Sequence, residues 1–269
     1  MTARAAVAGL VATLACAPAL RKPAPLAPAA VSEDRSAAAL LADAEAAFAR
    51  RPEPAAVRTA VALYRAAAQA DPAGVEGLHG ALRAAVWLAQ RERSAEERAR
   101  RATEAVELGQ LCAARAPDDA RCDYGLALGL GVQARERPST VGEGLKLMVE
   151  RLRRAAARDP AIDHGGPERV LALVLLRAPG WPLGPGDPES ALAEARKASA
   201  RAPDFPPNPL ALAEALAANG DPAAARAEAQ RGLALAEVRA AAGDPDAPEW
   251  VDEARRLLTA AARAPEPPP

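Results

Sequence analysis

A repeat of about 43 residues is the feature that most restricts the fold of this chain. Four segments end at a proline beside an aspartate, at Pro72, Pro117, Pro160 and Pro203, with spacings of 45, 43 and 43 residues. Proline disfavours helical geometry just before itself and lacks a backbone N–H, so each of these prolines predicts the end of a helix. We expect the neighbouring aspartate to cap the next helix. The period therefore predicts a repeated unit of helix, turn, helix and stop.

Residues that are mostly small recur at fixed offsets before these prolines. The positions twelve, eight and five residues before each proline fall on one helical face, where small side chains let two helices approach closely. The four sets are Ala60, Tyr64 and Ala67; Ala105, Gly109 and Cys112; Met148, Leu152 and Ala155; and Ala191, Ala195 and Ala198. This pattern resembles the second helix of the tetratricopeptide repeat, a helical hairpin that stacks into a solenoid.

Composition agrees with an all-α class. The chain has 76 alanines but only 2 Phe, 2 Tyr and 3 Trp in 269 residues. Alanine is the best helix former, whereas strands favour aromatic and β-branched residues, so a β-sandwich with an aromatic core is not expected. A genome rich in G and C also raises the alanine content, but it does not explain alanine at fixed offsets before successive prolines.

A fifth unit and a final helix complete the predicted solenoid of about five hairpins. Gly220-Asp221-Pro222 marks the turn of the fifth unit, and a helix over Glu249–Arg263 would cover the last exposed face. The units exceed the ordinary length of a tetratricopeptide repeat, which we attribute to longer loops between their helices at Arg91–Glu97 and Glu136–Gly142. The predicted boundaries are 34–264 for the tetratricopeptide-like solenoid and 265–269 for a disordered tail.

The N-terminus has the pattern of a secretory signal. Arg4 precedes an eleven-residue apolar run from Ala5 to Ala15, which is too short to span a bilayer as a helix. Ala15-Cys16 resembles the lipobox of bacterial lipoproteins, in which the cysteine becomes the acylated first residue. The alternative is an ordinary signal cleaved at a nearby alanine, with Cys16 incidental. We predict a signal peptide over 1–15 and lipidation at Cys16.

Residues 16–33 form a stretch rich in proline and alanine, without apolar periodicity. Such sequences form extended, semi-stiff linkers, so we predict a tether that holds the folded domain off a membrane surface. The expected location is the bacterial cell envelope, facing the periplasm. The protein would be lipid-anchored there, or soluble in the periplasm if Cys16 is not acylated.

Two further cysteines, Cys112 and Cys122, remain if Cys16 is acylated. An oxidising compartment permits a disulfide between them, which would cross one turn between helices. The alternative is that both are simply small, buried helix residues. The sequence leaves these two interpretations equal.

A loop rich in proline and glycine interrupts the fourth unit. Between Arg177 and Ser190 it contains four prolines and three glycines, which preclude a helix, and Trp181 stands at its centre. One interpretation is that Trp181 covers the end of the helix over Val170–Leu176. The other is that the loop forms the rim of a cleft or a surface that docks a partner, because ordered loops often carry function.

Three features occur together in this chain: a lipoprotein-like start, long helical repeats, and the segments Gly165-Gly166-Pro167 and Ala178-Pro179-Gly180-Trp181-Pro182. The combination resembles the T-component family of tripartite ATP-independent periplasmic (TRAP) transporters, most clearly over residues 159–220. The resemblance implies a lipid-anchored, tetratricopeptide-like protein that associates with a periplasmic solute-binding protein. It also implies trimers and a cleft suited to apolar ligands.

The sequence lacks the common catalytic motifs, such as Gly-x-Ser-x-Gly, His-Glu-x-x-His and the P-loop. Its two histidines are His79 and His164. Glu76 and His79 form one Glu-x-x-His element, but a di-iron bundle needs a second copy. The formal net charge of -1 gives no electrostatic reason for nucleic-acid binding. We therefore expect no catalytic residue, cofactor, metal or nucleic-acid partner.

Two functions from different classes follow. The first is a non-enzymatic, periplasm-facing lipoprotein that binds another protein through the surface of the solenoid, either as an accessory T-component or as a general envelope-assembly scaffold. The second is a carrier of small apolar ligands in a groove lined by Trp87, Trp181 and nearby leucines. Trp87 is otherwise a core residue of the helix predicted over Val75–Gln90. The candidate ligand or partner contacts are Trp87, His164 and Trp181.

Overall fold

The computed structural model describes residues 18–26 and 35–263, and these residues form eleven α-helices without a β-sheet. The helices are α1 Ala37–Ala49, α2 Pro54–Ala70, α3 Glu76–Arg91, α4 Ala95–Arg115, α5 Ala120–Glu136, α6 Val141–Arg158, α7 Gly166–Arg177, α8 Pro188–Arg201, α9 Pro207–Ala218, α10 Pro222–Ala241 and α11 Ala247–Arg263. Two 3₁₀ turns, Pro138–Thr140 and Ile162–His164, precede α6 and α7.

Successive helices pack as hairpins. Each predicted repeat is one pair, from α1 with α2 through to α9 with α10, and every pair also packs on the next one along the chain. Helix α11 packs on α10 and α9 and covers the last hairpin. The predicted all-α solenoid of five hairpins with a C-terminal capping helix is therefore confirmed. The capping helix begins at Ala247, slightly before the predicted start.

Small residues at the predicted offsets lie between the helices. Ala60, Ala105 and Ala155 are fully buried. A Cβ added at Gly109 would lie 2.8 Å from the Cα of Leu126, so only a hydrogen atom fits between α4 and α5 at that point. Close helix packing therefore explains why small residues occupy these positions.

The aspartates beside the repeat prolines do not cap the following helices, contrary to the prediction. Oδ1 of Asp71 accepts a hydrogen bond from the backbone N–H of Gly74 at 3.0 Å, and Asp159 makes a similar contact within its own loop. At the second linker Asp119, and not Asp118, caps α5. An N-cap must directly precede its helix, and the other linkers continue for several residues before the next helix begins.

Long helices, and not long loops, explain the length of the second and third units, whereas the fourth unit has a long loop at residues 178–187. Residues 92–94 alone join α3 to α4, and Arg137 with a 3₁₀ turn joins α5 to α6. Helix α4 has 21 residues and α6 has 18. The long loops predicted at Arg91–Glu97 and Glu136–Gly142 are therefore wrong. The charged run after Arg91 continues as the first turns of α4.

Residues 18–26 are extended and lie against the solenoid. Ala19 is buried, and its backbone N–H donates to a carboxylate oxygen of Glu143 on α6 at 2.8 Å. Leu20 packs on the core around α5 and α6, and Leu26 packs on the core of the first hairpins. This part of the predicted tether therefore belongs to the folded surface, because its apolar side chains pack against the hydrophobic core.

Residues 1–17, 27–34 and 264–269 lie outside the described part of the chain. The signal peptide over 1–15, the lipidation of Cys16 and the tail over 265–269 remain predictions for that reason. None of the described helices is long and apolar enough to cross a membrane.

Cys112 on α4 and Cys122 on α5 have their sulfur atoms 1.97 Å apart, at bonding distance. Their Cα atoms are 5.3 Å apart, a usual separation for a disulfide, and both residues are buried. The bridge joins the second hairpin to the third. Both interpretations of these cysteines are therefore correct, since they are small buried helix residues that also form a disulfide bridge.

We expect the Cys112–Cys122 bridge to raise the free energy of unfolding by about 2–3 kcal/mol, because closing a short loop restricts the unfolded chain. Urea unfolding of the oxidised protein and of the Cys112→Ala/Cys122→Ala variant measures this difference. A reductant should lower the unfolding midpoint of the parent and leave that of the variant unchanged. Equal midpoints of the parent with and without reductant would contradict the prediction.

Candidate functional site

A cleft of about 490 Å³, named here the central cleft, lies where the first two hairpins face the last two. Helices α1 and α3 line one side, and the turn before α7, the start of α9 and the loop between α10 and α11 line the other. Its charged residues are Arg51, Arg83, Arg91, Arg169, Arg239, Asp163, Asp244, Asp246 and Glu249. Its rings are Phe48, Trp87, His164, Phe205 and Trp250.

Two ion pairs join the ends of the solenoid beside this cleft. Arg51, which follows α1, donates from Nε and Nη2 to Asp246 at 3.1 and 2.8 Å. Arg91 at the end of α3 donates through two nitrogens to Glu249 on α11, with the Nε contact at 2.8 Å. The partners are 195 and 158 positions apart in the chain. These contacts hold the first two hairpins against the C-terminal capping segment and so bound the cleft.

Arginine side chains stack on the rings of the first two hairpins. The guanidinium groups of Arg51 and Arg83 lie 4.6 and 4.4 Å from the centre of the Phe48 ring. Arg91 lies 4.5 Å from the ring of Trp87. Such cation–π contacts contribute roughly 0.5–2 kcal/mol each and restrict otherwise mobile side chains. The cleft lining is therefore preorganised.

Phe205 is the centre of a second group of rings. His164 stacks on it with ring centres 4.4 Å apart, and Trp250 of α11 meets it edge-on at 5.4 Å. The guanidinium group of Arg169 lies 5.1 Å from the same ring. Phe205 is buried, Trp250 is half-buried and His164 is exposed, so the imidazole is the most accessible ring of this group.

Trp87 combines the two roles that the sequence left as alternatives. It is 7% exposed and belongs to the core of the first hairpins, yet it also lines the central cleft. Its indole Nε1–H is buried and has no hydrogen-bond acceptor among the described residues. Buried indole N–H groups usually have a partner. This donor is an exception to that rule, and because it is enclosed by protein atoms, a bound group would reach it only if a neighbouring side chain moved.

An unusual turn positions His164. Asp163, His164 and Gly165 have φ values of 48, 56 and 83°, and only glycine adopts this conformation readily. Oδ2 of Asp163 accepts hydrogen bonds from the hydroxyl of Tyr124 and from Arg169, each at 2.6 Å. Burial, and next the charge of Asp163, raise the pKa of the Tyr124 phenol well above its ordinary value. The phenol therefore remains a donor that supports the turn.

Asn208 holds the same turn from the other side. Its side chain is fully buried, and Nδ2 donates to the carbonyl oxygens of His164, Ala198 and Ala202 at distances between 2.8 and 3.1 Å. Its Oδ1 accepts a hydrogen bond from Arg169 at 3.0 Å. This single amide therefore joins the end of α8, the start of α9 and the turn before α7.

A second groove, named here the side groove, adjoins the central cleft between α3, α5 and the turn before α7. It has a volume of about 530 Å³. Its apolar lining includes Leu82, Val86, Leu128 and Ile162. His79 lines it as well, and burial, followed by the charge of Arg83, lowers the pKa of its imidazole. The imidazole is therefore neutral at pH 7, and this groove is less polar than the central cleft.

The structure brings together two of the three predicted contact residues, Trp87 and His164, in the central cleft. Trp181 lies elsewhere, 89% exposed on the α7–α8 loop, and the adjacent Pro182 and Leu183 line a groove against α6. The interpretation in which Trp181 covers the end of α7 is therefore wrong. Trp181 also does not share a groove with Trp87, as the apolar-carrier hypothesis required.

Several cleft residues were absent from the predicted set. The sequence spacing could have identified Arg83 as a cleft residue. It lies four residues from both His79 and Trp87 and therefore on the same face of α3. No sequence pattern could have identified Phe48 and Phe205 in this way, since their neighbours in the cleft come from helices that are distant in the chain.

The described ranges contain no group of three or more His, Cys, Asp or Glu placed to hold a metal ion. Glu76 of the Glu-x-x-His element instead forms an ion pair with Arg121 at 2.9 Å. The carboxylates of the central cleft are likewise bound by arginines.

No family model matches this chain, and no curated protein matches it in sequence. Among solved structures it is similar to TTC0263, a thermophilic TPR (tetratricopeptide repeat) protein of Thermus thermophilus. The TM-score is 0.60 at 20% identity, over 85% of this chain and 100% of that one. The MamA protein aligns with a TM-score of 0.45 at 16% identity, over 76% of this chain and 93% of that one. The likeness to TTC0263 shows that the fold is tetratricopeptide-like.

Asp246→Arg should separate the ends of the solenoid, because it places a cation against Arg51. We expect a larger radius of gyration in small-angle X-ray scattering and a loss of about 1–2 kcal/mol in the free energy of unfolding. The swapped pair Arg51→Asp/Asp246→Arg should restore most of the lost free energy of unfolding and bring the radius of gyration back towards that of the parent. The same charge reversal at the exposed Asp252 on α11 is the control. Unchanged dimensions in Asp246→Arg would show that the pair does not hold the ends together.

Asn208→Ala should lower the free energy of unfolding by about 2–3 kcal/mol, because it leaves Arg169 and buried carbonyl groups without their partner. Asn219→Ala is a matched control, since Asn219 also donates to two carbonyl oxygens but is only partly buried. Water can replace its contacts, so the loss there should stay below about 1 kcal/mol. Urea unfolding measures both values, and equal losses would argue against a special role for Asn208.

Proposed function

We propose that this chain is a non-enzymatic, tetratricopeptide-like scaffold that binds a segment of another protein in the central cleft. The observation that carries the proposal is the lining itself, in which arginines stack on aromatic rings. Arginine and aromatic residues are enriched at protein interfaces, and Trp and Arg are prominent among the residues that dominate binding energy.

The charges of the lining limit what a partner can offer. Five arginines face four carboxylates, and Arg83, which is not paired within the cleft, binds Glu45 at 2.8 Å. The lining is therefore close to neutral, and long-range attraction contributes little to recognition. A fitting segment places an apolar or aromatic side chain beside His164, the exposed ring of the cleft, and offers a carbonyl or carboxylate oxygen to an arginine of the lining.

The cellular setting is part of the same proposal. The apolar N-terminal run followed by Cys16 supports a lipid-anchored location in the bacterial envelope, facing the periplasm. A disulfide between Cys112 and Cys122 suits an oxidising compartment. The T-component role, with a periplasmic solute-binding protein as partner and a trimeric assembly, is the most specific form of the proposal and rests on the resemblance over residues 159–220.

A carrier of small apolar ligands is a second candidate, and the side groove is the observation that favours it. Its volume of about 530 Å³ lies within the usual range for small-ligand pockets, and its lining is largely apolar. The central cleft does not suit such a ligand, because charged side chains dominate its lining. A stoichiometric apolar ligand retained in native mass spectrometry would favour the carrier.

Site-specific photo-crosslinking in intact cells tests the partner proposal. A photoreactive amino acid at His164, the exposed ring of the central cleft, should crosslink a protein partner. The same amino acid at Lys197, exposed on α8 outside the cleft, is the matched control and should give much less product. Mass spectrometry then identifies the crosslinked protein.

A periplasmic solute-binding protein as the product would support the T-component role. Recovery of assembly or secretion machinery alone would contradict that role and favour a general envelope scaffold. No product from His164 above that from Lys197 would contradict the central cleft as the partner site.

A further inference from the structure

The α7–α8 loop exposes two large apolar side chains close together. Trp181 is 89% exposed and Leu183 is 83% exposed. Elsewhere in the described chain, Val238 on α10 is the remaining large apolar side chain with such exposure, at 69%. Single exposed apolar residues are common on protein surfaces, but neighbouring ones on an ordered loop indicate a contact surface.

Backbone contacts fix the conformation of this loop. The carbonyl oxygen of Gly180 accepts a hydrogen bond from the backbone N–H of Leu183 at 3.0 Å. A Cβ added at Gly186 would lie 2.2 Å from the carbonyl oxygen of Ala178, so close packing requires glycine there. Trp181 and Leu183 are therefore presented outward by a defined turn, which reduces the entropy lost when they bind.

Helix α6 faces the loop across a groove of about 720 Å³. Lys146 and Arg153 in this groove are exposed and form no ion pair within the described part of the chain. Glu150 lies between them and carries the opposite charge. Arg154 also lines the groove, but it is bound to Asp123 at 3.2 Å. The free charge of this face is therefore positive.

The N-terminal end of the described chain lies beside the same helix. Ala19 bonds to Glu143 in the first turn of α6, and Arg21 and Lys22 directly after it are exposed. Cys16, the predicted lipidation site, stands three residues before Ala19 in the sequence.

We propose that Trp181, Leu183, Lys146 and Arg153, named here the docking face, lie on the surface of an anionic lipid bilayer. Tryptophan favours the headgroup level, leucine favours the boundary of the acyl chains, and lysine and arginine attract anionic headgroups. The docking face would then fix how the anchored domain lies on the bilayer.

Charge and geometry agree with an anionic bilayer as the surface that the docking face contacts. With Arg21 and Lys22, the region around the docking face has four cations against the carboxylates of Glu143 and Glu150, and the Glu143 carboxylate is bound to the backbone of Ala19. Neither α6 nor the α7–α8 loop lines the central cleft, so docking leaves the cleft open. The proposal goes beyond partner binding and shares with it only the expected anchoring at a membrane.

Quenching of Trp181 fluorescence by brominated lipids tests the proposal. The full chain is reconstituted with vesicles of phosphatidylethanolamine and phosphatidylglycerol whose acyl chains carry bromine. We expect clear quenching, reduced at least about threefold in Trp181→Phe, because the ring lies at the membrane interface. Trp250→Phe, which removes a ring of the central cleft, is the matched control and should retain the quenching.

A charge-reversal variant provides a second test of the same proposal. Lys146→Glu/Arg153→Glu should reduce the quenching, whereas Lys197→Glu on α8 should not, because only the first two lie on the docking face. Equal quenching with and without Trp181 in vesicle-bound protein would overturn the proposal. So would protection of Trp181 by an envelope protein extract without quenching by brominated lipid, since that result assigns the face to a protein partner.

Discussion

Close contact between helix backbones is the constraint on which this structure depends. Gly109 brings α4 against α5, and Gly232 does the same for α10 and α9, where an added Cβ would lie 2.5 Å from the side chain of Leu210. Alanine and glycine bury little apolar area each, so stability is spread over many contacts. Larger residues at these positions would separate the helices and change how each hairpin stacks on the next.

Local sequence was sufficient for the order of the hairpins and for most helix ends. The proline positions and the small-residue offsets are local signals, and the helices ended where Pro72 and its counterparts indicated. The charged run after Arg91 shows where composition alone fails, because a loop and a solvated helix turn have the same polar composition. Ser94 is the local signal that decides there, since its side chain accepts a hydrogen bond from the backbone N–H of Glu97 and caps α4.

The central cleft could not be predicted in the same way. Phe48 and Phe205 line one cleft because small rotations between successive hairpins accumulate until the first and last hairpins meet. No single residue encodes that accumulated rotation. Trp87, His164 and Arg83 were accessible to sequence reasoning as unusual residues or as neighbours on one helical face, but their common location required the whole superhelix.

Solenoids normally behave as one-dimensional arrays, in which terminal units contact one neighbour and fray first. Arg51–Asp246 and Arg91–Glu249 give this chain contacts between its first two hairpins and its C-terminal capping segment. Opening either terminal unit then breaks contacts at both ends. Unfolding should therefore be more cooperative than in an open array of the same length, and amide protection should be more uniform along the chain.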